Sequence, residues 1–569
     1  MRGNPRENRT ALTCSATLLL LALLVWASPS HAATVRLRHV NPDFAGREGD
    51  AAASPIDWSY LRGAKVREGW FHSLRAADGR GEALPSAYDL SALGRTPPVR
   101  SQRRWGTCWA FAATEAAESA LLSETGVYHN LSELHLAYFA YSFEGEDKPG
   151  FTRHVKVYDP EDEDAELDNA IFDNGGLPMQ VMAMYSRGTG PALESDAPYP
   201  IWLDDADDLT WANYIPPAPY APARFRLKGA YVFHDTGEIK AALTAIGGLA
   251  IAFTSAGGRY LHDGKNFYTS DAGIEGDHAV LLIGWDDDYP RENFLSSTDQ
   301  VPQRDGAWKI QNSWGEQHGD GGYYWISYED TSLFSDETYD NGAVGYLMEP
   351  VDAYDGIYFH DPLGASGIVS LDDGRAVRMS NAFAARRDES LVSVGFFTGN
   401  VNIAYEIQVY RDIPEGGAPD EGRPVWDVPQ KGRTGPRGYY AVALDEAVPL
   451  DKDERFAVEV KLVADDETYP RDVAYATVEM MIHGETDNVA VMPEQSYLYL
   501  DGEWRDTYGI VLDASDFDNY SPRNFNLNVK AFTKAREASW SGSGGGCDAG
   551  APLLLLALAG AALFARGKR

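Results

Sequence analysis

Cys108 sits in the stretch Gln102-Arg103-Arg104-Trp105-Gly106-Thr107-Cys108-Trp109-Ala110-Phe111. The chain has three cysteines, and the other two, Cys14 and Cys547, lie close to its ends. Cys14 falls in an N-terminal leader and Cys547 in a C-terminal tail, which leaves Cys108 a lone thiol between them and not half of an internal disulfide. Thr107 is a helix N-cap by type, residues 108–125 are rich in Ala, Leu and Glu, and Gly126 is a C-cap by type. That order puts Cys108 in the first turn of a helix, where exposed backbone N–H groups and the helix dipole favour an anion and lower a thiol pKa. The chemistry on offer is that of a nucleophilic thiolate. A small buried apolar side chain is the other reading of a free Cys, and from these residues alone both stand.

Two later segments bear on the choice. Gly276-Asp277-His278-Ala279-Val280-Leu281-Leu282-Ile283-Gly284-Trp285 sets a histidine immediately before an apolar, strand-like run. Trp308-Lys309-Ile310-Gln311-Asn312-Ser313-Trp314-Gly315 is a second short strand ending in Asn, Ser, Trp and Gly. With Gln102 six residues before Cys108, then His278, then Asn312 ahead of Ser-Trp-Gly, the chain resembles the papain-like cysteine peptidases over residues 84–335. The resemblance implies an α+β, two-lobed domain: a helical half bearing the Cys, a β half bearing the His and Asn, and the site in the groove between them.

Amide hydrolysis needs a nucleophile, a proton donor for the leaving amine and stabilisation of the tetrahedral oxyanion. The resemblance implies Cys108 as the thiolate nucleophile and His278 as the imidazolium that protonates the amine and then activates water. Asn312 orients the His278 ring, an amide in the place a carboxylate holds in other triads, and Trp314 shields that bond from solvent. Gln102 and the Cys108 backbone N–H form the oxyanion hole. Asn174-Gly175-Gly176-Leu177-Pro178 resembles the family's substrate-pairing stretch, where Gly175 and Gly176 let a peptide backbone approach closely. Leu177, Pro178 and Ala252 are expected to line an apolar pocket for the second residue before the cut, and Asp277 to join the substrate contacts. Trp105 stands where the family usually has a cysteine bridged to the segment near Gly175, which puts subsite specificity in doubt. No insertion obviously blocks one end of the cleft, so an endopeptidase is expected, with protein or peptide substrates and with neither cofactor nor metal. A glycan-binding surface adhesin with an inactive domain, and a transpeptidase using the same acyl-enzyme, are the competing readings. The intact Gln102, Cys108, His278 and Asn312 speak against the adhesin.

The elements that must hold these residues follow from periodicity. Residues 1–32 have arginines, an apolar run and Ser30-His31-Ala32, the pattern of a secretory signal peptide cut after Ala32. Residues 33–83 read as a short propeptide or a plain N-terminal extension. Apolar runs at 248–253, 279–285, 307–311 and 322–328 predict strands in the second half of the peptidase domain. Between 143 and 168 lies an insertion with Asp159-Pro160-Glu161-Asp162-Glu163-Asp164, which lacks the glycine and spacing of a calcium loop and reads as a solvated acidic loop. From 350 to 533 the pattern turns to alternation: Val401, Ile403, Tyr405, Ile407 and Val409, then Phe456, Val458, Val460 and Leu462, then Phe525, Leu527 and Val529. That period of two predicts a β-sandwich, expected as a body separate from the peptidase, with no sheet crossing residue 345. This part resembles the lectin-like domain appended to bacterial papain-type peptidases. A glycan ligand and a purely supporting role are both open.

Lys+Arg 49 against Asp+Glu 85 gives a formal charge of −36, which argues against nucleic acid or an anionic membrane surface as partner. Residues 534–546 form a Gly/Ser linker, and 547–569 hold Cys547, an apolar run and a basic end. Together with Gly544-Gly545-Gly546 this resembles a Gly-Cys type of C-terminal sorting tail, with a simple membrane anchor as the alternative. Export to the bacterial cell surface or beyond, with membrane contact through the tail, is the expected location.

Overall fold

The apolar runs after residue 220 become strands, and most of them join one sheet. In a computed structural model the described residues are 34–40, 65–74, 84–141, 175–200, 221–271, 276–295, 300–334, 342–371, 374–480, 491–513 and 523–536. The leader, Asn174, the acidic insertion, the Gly/Ser linker and the tail with Cys547 lie outside them. The chain divides after Ala535, and everything below concerns the unit that ends there.

Five helices carry the argument: α1 (Glu68–Leu74), α2 (Cys108–Thr125), α3 (Glu133–Tyr141), α4 (Pro178–Ser186) and α5 (Thr236–Ala245). In the first half the strands are β1 (Val35–Val40), β2 (Phe225–Phe233), β3 (Leu249–Phe253), β4 (His278–Asp286), β5 (Ala307–Gln311), β6 (Tyr323–Ser327) and β7 (Ala343–Pro350). Those that follow are β8 (Gly356–Tyr358), β9 (Gly367–Leu371), β10 (Ala376–Ala384), β11 (Glu389–Thr398), β12 (Ala404–Arg411), β13 (Arg437–Leu450), β14 (Arg455–Val463), β15 (Ala476–Met480), β16 (Ser496–Leu500), β17 (Glu503–Asp506), β18 (Phe525–Leu527) and β19 (Val529–Ala535).

Strand β4 shows why the sequence folds this way. Its run Ala279 to Trp285 is apolar without alternation, the pattern of a strand covered on both faces, and α2 and α5 both pack against it. The Ala-rich helix α2 is itself enclosed by β3, β4 and β7, so Trp109 to Leu121 are all buried. Small Ala side chains let the strands come close.

The main sheet runs β8, β19, β11, β13, β2, β7, β3, β4, β5, β6 and ends in two short strands. This corrects the expectation of two separate bodies. Strands on either side of residue 345 lie in one sheet because β13 pairs with β2, with Arg437 opposite Val232 and Tyr440 opposite Gly229. Strand β7 covers only one edge of β2, and the other edge needs hydrogen-bond partners. Gly438 makes the junction possible: φ is 139° there, and a Cβ would lie 2.0 Å from the Ala230 carbonyl oxygen. A second sheet, with β12, β14, β10, β16 and β17 in order, completes the sandwich. One apolar core runs through both halves, from Phe111 to Phe456.

Alternation from Val401 predicted a strand start there, yet β12 begins at Ala404. Asn402 breaks the run, with φ at 56° and its N–H given to the Gly435 carbonyl at 2.7 Å. The N-terminal extension is built into the body where it is described: β1 pairs with β9, and α1 buries Trp70 and Phe71.

Candidate active site

Cys108 is the first residue of α2, as the sequence predicts, and Gly126 closes the helix in the left-handed conformation with its N–H on Leu122 O. The expected side-chain cap is absent. Thr107 makes no cap hydrogen bond, because its hydroxyl is 2.8 Å from Tyr199 Oη. That phenol gives its own proton to the Gln102 carbonyl at 3.0 Å, so Thr107 is the donor of the pair.

His278 opens β4 and Asn312 follows β5, so the ladder between these strands brings Leu281 opposite Gln311 and the two side chains together. His278 Nε2 lies 2.8 Å from Asn312 Oδ1. An amide oxygen only accepts, so Nε2 is the donor and Nδ1 is the basic nitrogen of the neutral ring. Trp314 stacks on this ring with centroids 4.9 Å apart and planes 25° apart, and Phe253 meets it edge-on at 5.9 Å. Asn312 Oδ1 also accepts the Ser313 N–H at 2.8 Å, which fixes the amide at both ends of its oxygen.

Gln102 reaches the same corner from the segment before α2, where Ser101 bridges to Trp314. Its backbone N–H bonds Ser313 O at 2.8 Å, its Nε2 donates to Trp105 O at 2.7 Å, and its Oε1 accepts from Ser313 Oγ at 2.6 Å. One of the two amide protons is thus committed to Trp105. Ser313 and Tyr199, neither chosen from the sequence, are the residues that hold Gln102. Ser313 lay inside the Asn-Ser-Trp-Gly motif, whereas Tyr199 carries no sequence signal.

The electrostatics correct one expectation. Burial pushes the Cys108 thiol up, and the Asp277 charge adds to this, against the backbone N–H groups of Ala279 and Trp109 that favour the anion. A helix N-terminus does not outweigh the loss of water around the sulfur. Burial likewise pushes the His278 imidazole down, opposed by its Asn312 bond and by Asp277. A lone charge on either group is disfavoured. Moving the thiol proton to the imidazole leaves the site with no net charge, so the anion and the cation are best formed as a pair.

The substrate-side residues are placed as follows. Gly176 packs on Trp109, whose ring would lie 2.3 Å from an added Cβ, and Gly175 has φ at 72° with open space around it. Leu177 and Pro178 start α4 and stay half-buried, as does Ala252, which pairs with Ala279 in the ladder of β3 and β4. The Asp277 carboxylate takes the N–H groups of Ser255 at 2.6 Å and Ala256 at 2.8 Å. Trp105 is buried rather than standing in the cleft, with the Arg104 guanidinium 4.4 Å over its ring. Among the described residues no group of three or more His, Cys, Asp or Glu is placed to hold a metal ion.

A profile of the papain family cysteine protease matches residues 84–139 and 168–339, and one of the lectin like domain matches residues 357–533. The chain carries a papain-family cysteine protease domain followed by a lectin-like domain. Cysteine proteinase 2 of Zea mays is 27% identical over 266 residues, 44% of this chain and 57% of that protein. Procathepsin L of Rattus norvegicus is 25% identical over 261 residues, 43% of this chain and 60% of that protein. The chain thus spans less than two-thirds of these relatives. The solved structure of the cysteine protease and lectin-like domains of Cwp84, a surface layer associated protein of Clostridium difficile, matches with a TM-score of 0.64 at 20% identity, covering 89% of this chain and 99% of that one. Clostridial Cwp84 after propeptide cleavage gives 0.62 at 23% identity, over 79% and 100%. These likenesses show the fold: a papain-family domain and a lectin-like domain in the same order.

Proposed function

We propose that the chain is a cysteine endopeptidase that cuts peptide bonds through a Cys-His-Asn acyl-enzyme mechanism. The observation that carries this is the His278 ring, fixed through Nε2 by Asn312 and covered by Trp314, with Cys108 heading the helix packed on the same strand. The Cys108 proton passes to His278 Nδ1, and the thiolate attacks the substrate carbonyl carbon. The carbonyl electron pair moves onto oxygen, where the second N–H of Gln102 and the Cys108 backbone N–H receive it; losing one such donor costs about a hundredfold or more in rate. As the C–N bond breaks, the imidazolium gives its proton to the amine. His278 then takes a proton from water, the hydroxide displaces the thiolate from the thioester, and the acid product leaves.

Leu177, Pro178 and Ala252 support an apolar preference at the second residue before the cut. It is broad, because one methylene in such a pocket is worth only about 1–3 kcal/mol. Export to the bacterial cell surface, a glycan ligand for the lectin-like domain, and sorting through the Cys547 tail complete the reading; the leader, the linker and the likeness to a surface-layer-associated protein support it. The test is cleavage of a peptide library by the full chain and by Cys108→Ser. Cleavage after apolar second residues, lost in the variant, is the expected result. A demand for Arg or Asp at that position overturns the pocket, and equal activity of the variant overturns the mechanism.

A further inference from the structure

Residues 65–74 pack into the body of the protein. Trp70 and Phe71 on α1 are 7% and 8% exposed. Trp70 meets Tyr231 of β2 edge-on at 4.8 Å and lies 6.0 Å from Phe233, and Phe71 lies 5.9 Å from Phe233. From the other side the ring rests on bare backbone: a Cβ on Gly435 would come 2.4 Å from it. Val66 packs on Ile368, Val401 and Tyr475.

The polar contacts are as specific as the apolar ones. The Asn402 side chain accepts the Arg67 N–H at 3.1 Å and donates to Lys65 O at 2.8 Å, binding one edge of the strap backbone as a neighbouring strand would. Asn402 holds a left-handed φ of 56° to do so. Glu238 of α5 accepts the Val66 N–H at 2.5 Å. The receptor therefore draws Tyr231, Phe233 and Glu238 from the papain-family half and Asn402 and Gly435 from the lectin-like half. None of residues 65–74 has a described contact with Cys108, His278 or Asn312.

We infer that residues 65–74 are a permanent strap seated in a groove made by both halves, and that they stay bound as a separate peptide when the chain is cut on either side of them. A buried Trp-Phe pair with three backbone hydrogen bonds supplies specificity of the kind seen in peptide grooves, where aromatic anchors dominate. A covering propeptide would instead have to leave the molecule for it to work.

The test uses the full chain with recognition sites for a sequence-specific protease placed at residues 41–64 and 75–83. After cutting, size-exclusion chromatography in native buffer followed by mass spectrometry should find the strap with the main body. Gly435→Ala fills the space under Trp70 without altering the strap's own sequence, and Trp70→Ala removes the anchor; either should weaken retention tenfold or more. Circular dichroism confirms that each variant remains folded, so release is distinguished from unfolding. Release of the strap from the cut wild type, or equal retention in Gly435→Ala, overturns the inference. The readout is binding, so it stands apart from whether the site is a peptidase.

Discussion

The Cys108 sulfur gains three backbone N–H groups, those of Ala279, Trp109 and Cys108 itself, and loses water on burial, and the second effect is larger. The consequence is that His278 must supply the counter-charge. In His278→Ala, alkylation of Cys108 by iodoacetamide should slow at pH 6 and its midpoint should move above the roughly 8.5 of a free thiol; a rate-versus-pH series in wild type and variant checks this. An unchanged profile would mean that the imidazole plays no part in forming the thiolate. Ser313→Ala removes one hydrogen bond from Gln102 and should lower kcat about tenfold with little change in KM, since such a bond is worth about 1 kcal/mol or somewhat more. Behind the site, Arg100 pairs with Glu118 at 2.6 Å and Glu133 at 2.7 Å, and sits 3.7 Å from Glu115. One guanidinium faces three carboxylates, and burial pushes Glu115 up to about 8. Its folded pKa is raised, so the stability it contributes is full below the unfolded value near 4.3 and is lost as pH rises through about 8. Urea unfolding between pH 5 and pH 9 should show this slope, at most about 1.4 kcal/mol per pH unit from one group, and Glu115→Gln should reduce it, leaving the part due to Glu118 and Glu133, which burial also raises.

Elements explain what the sequence did and did not tell. The helix headed by Cys108 and β3 to β6 were legible, because long apolar runs and a glycine C-cap are local signals; the meeting of His278 with Asn312 was legible only through the resemblance to the papain-like peptidases. The Thr107 cap was misread because a tyrosine 92 residues away competes for its hydroxyl, and no local pattern reports that. Asn402 delays the start of β12 for a similar reason, its backbone N–H being drawn to the Gly435 carbonyl. The union of the two halves was invisible, since alternation shows which face of a strand is buried but not which edge it pairs. Within the lectin-like half, Lys530 of β19 and Asp361 are both fully buried and 2.7 Å apart, with Asn528 adding a bond to the same carboxylate oxygen at 2.9 Å. Lys530→Met should cost about 3–5 kcal/mol, because it strands a buried carboxylate; chemical denaturation of the variant is the measurement. A loss below about 1 kcal/mol would show that Asp361 simply takes up a proton.

At the scale of the molecule, a shared sheet and a shared core make the two domains one cooperative body. Calorimetry of the full chain should give a single unfolding transition, and two resolved peaks would contradict the junction of β2 and β13. A chain stopped at residue 350 leaves one edge of β2 unpaired and half of the strap groove missing, so it should be recovered mainly as insoluble protein. The last strand before the linker, β19, lies between β8 and β11, with Val529 to Ala535 running beside Phe396 to Glu389. On the surface-anchored reading, a pull at Ala535 loads that ladder in shear and is passed from strand to strand to the groove that holds Cys108.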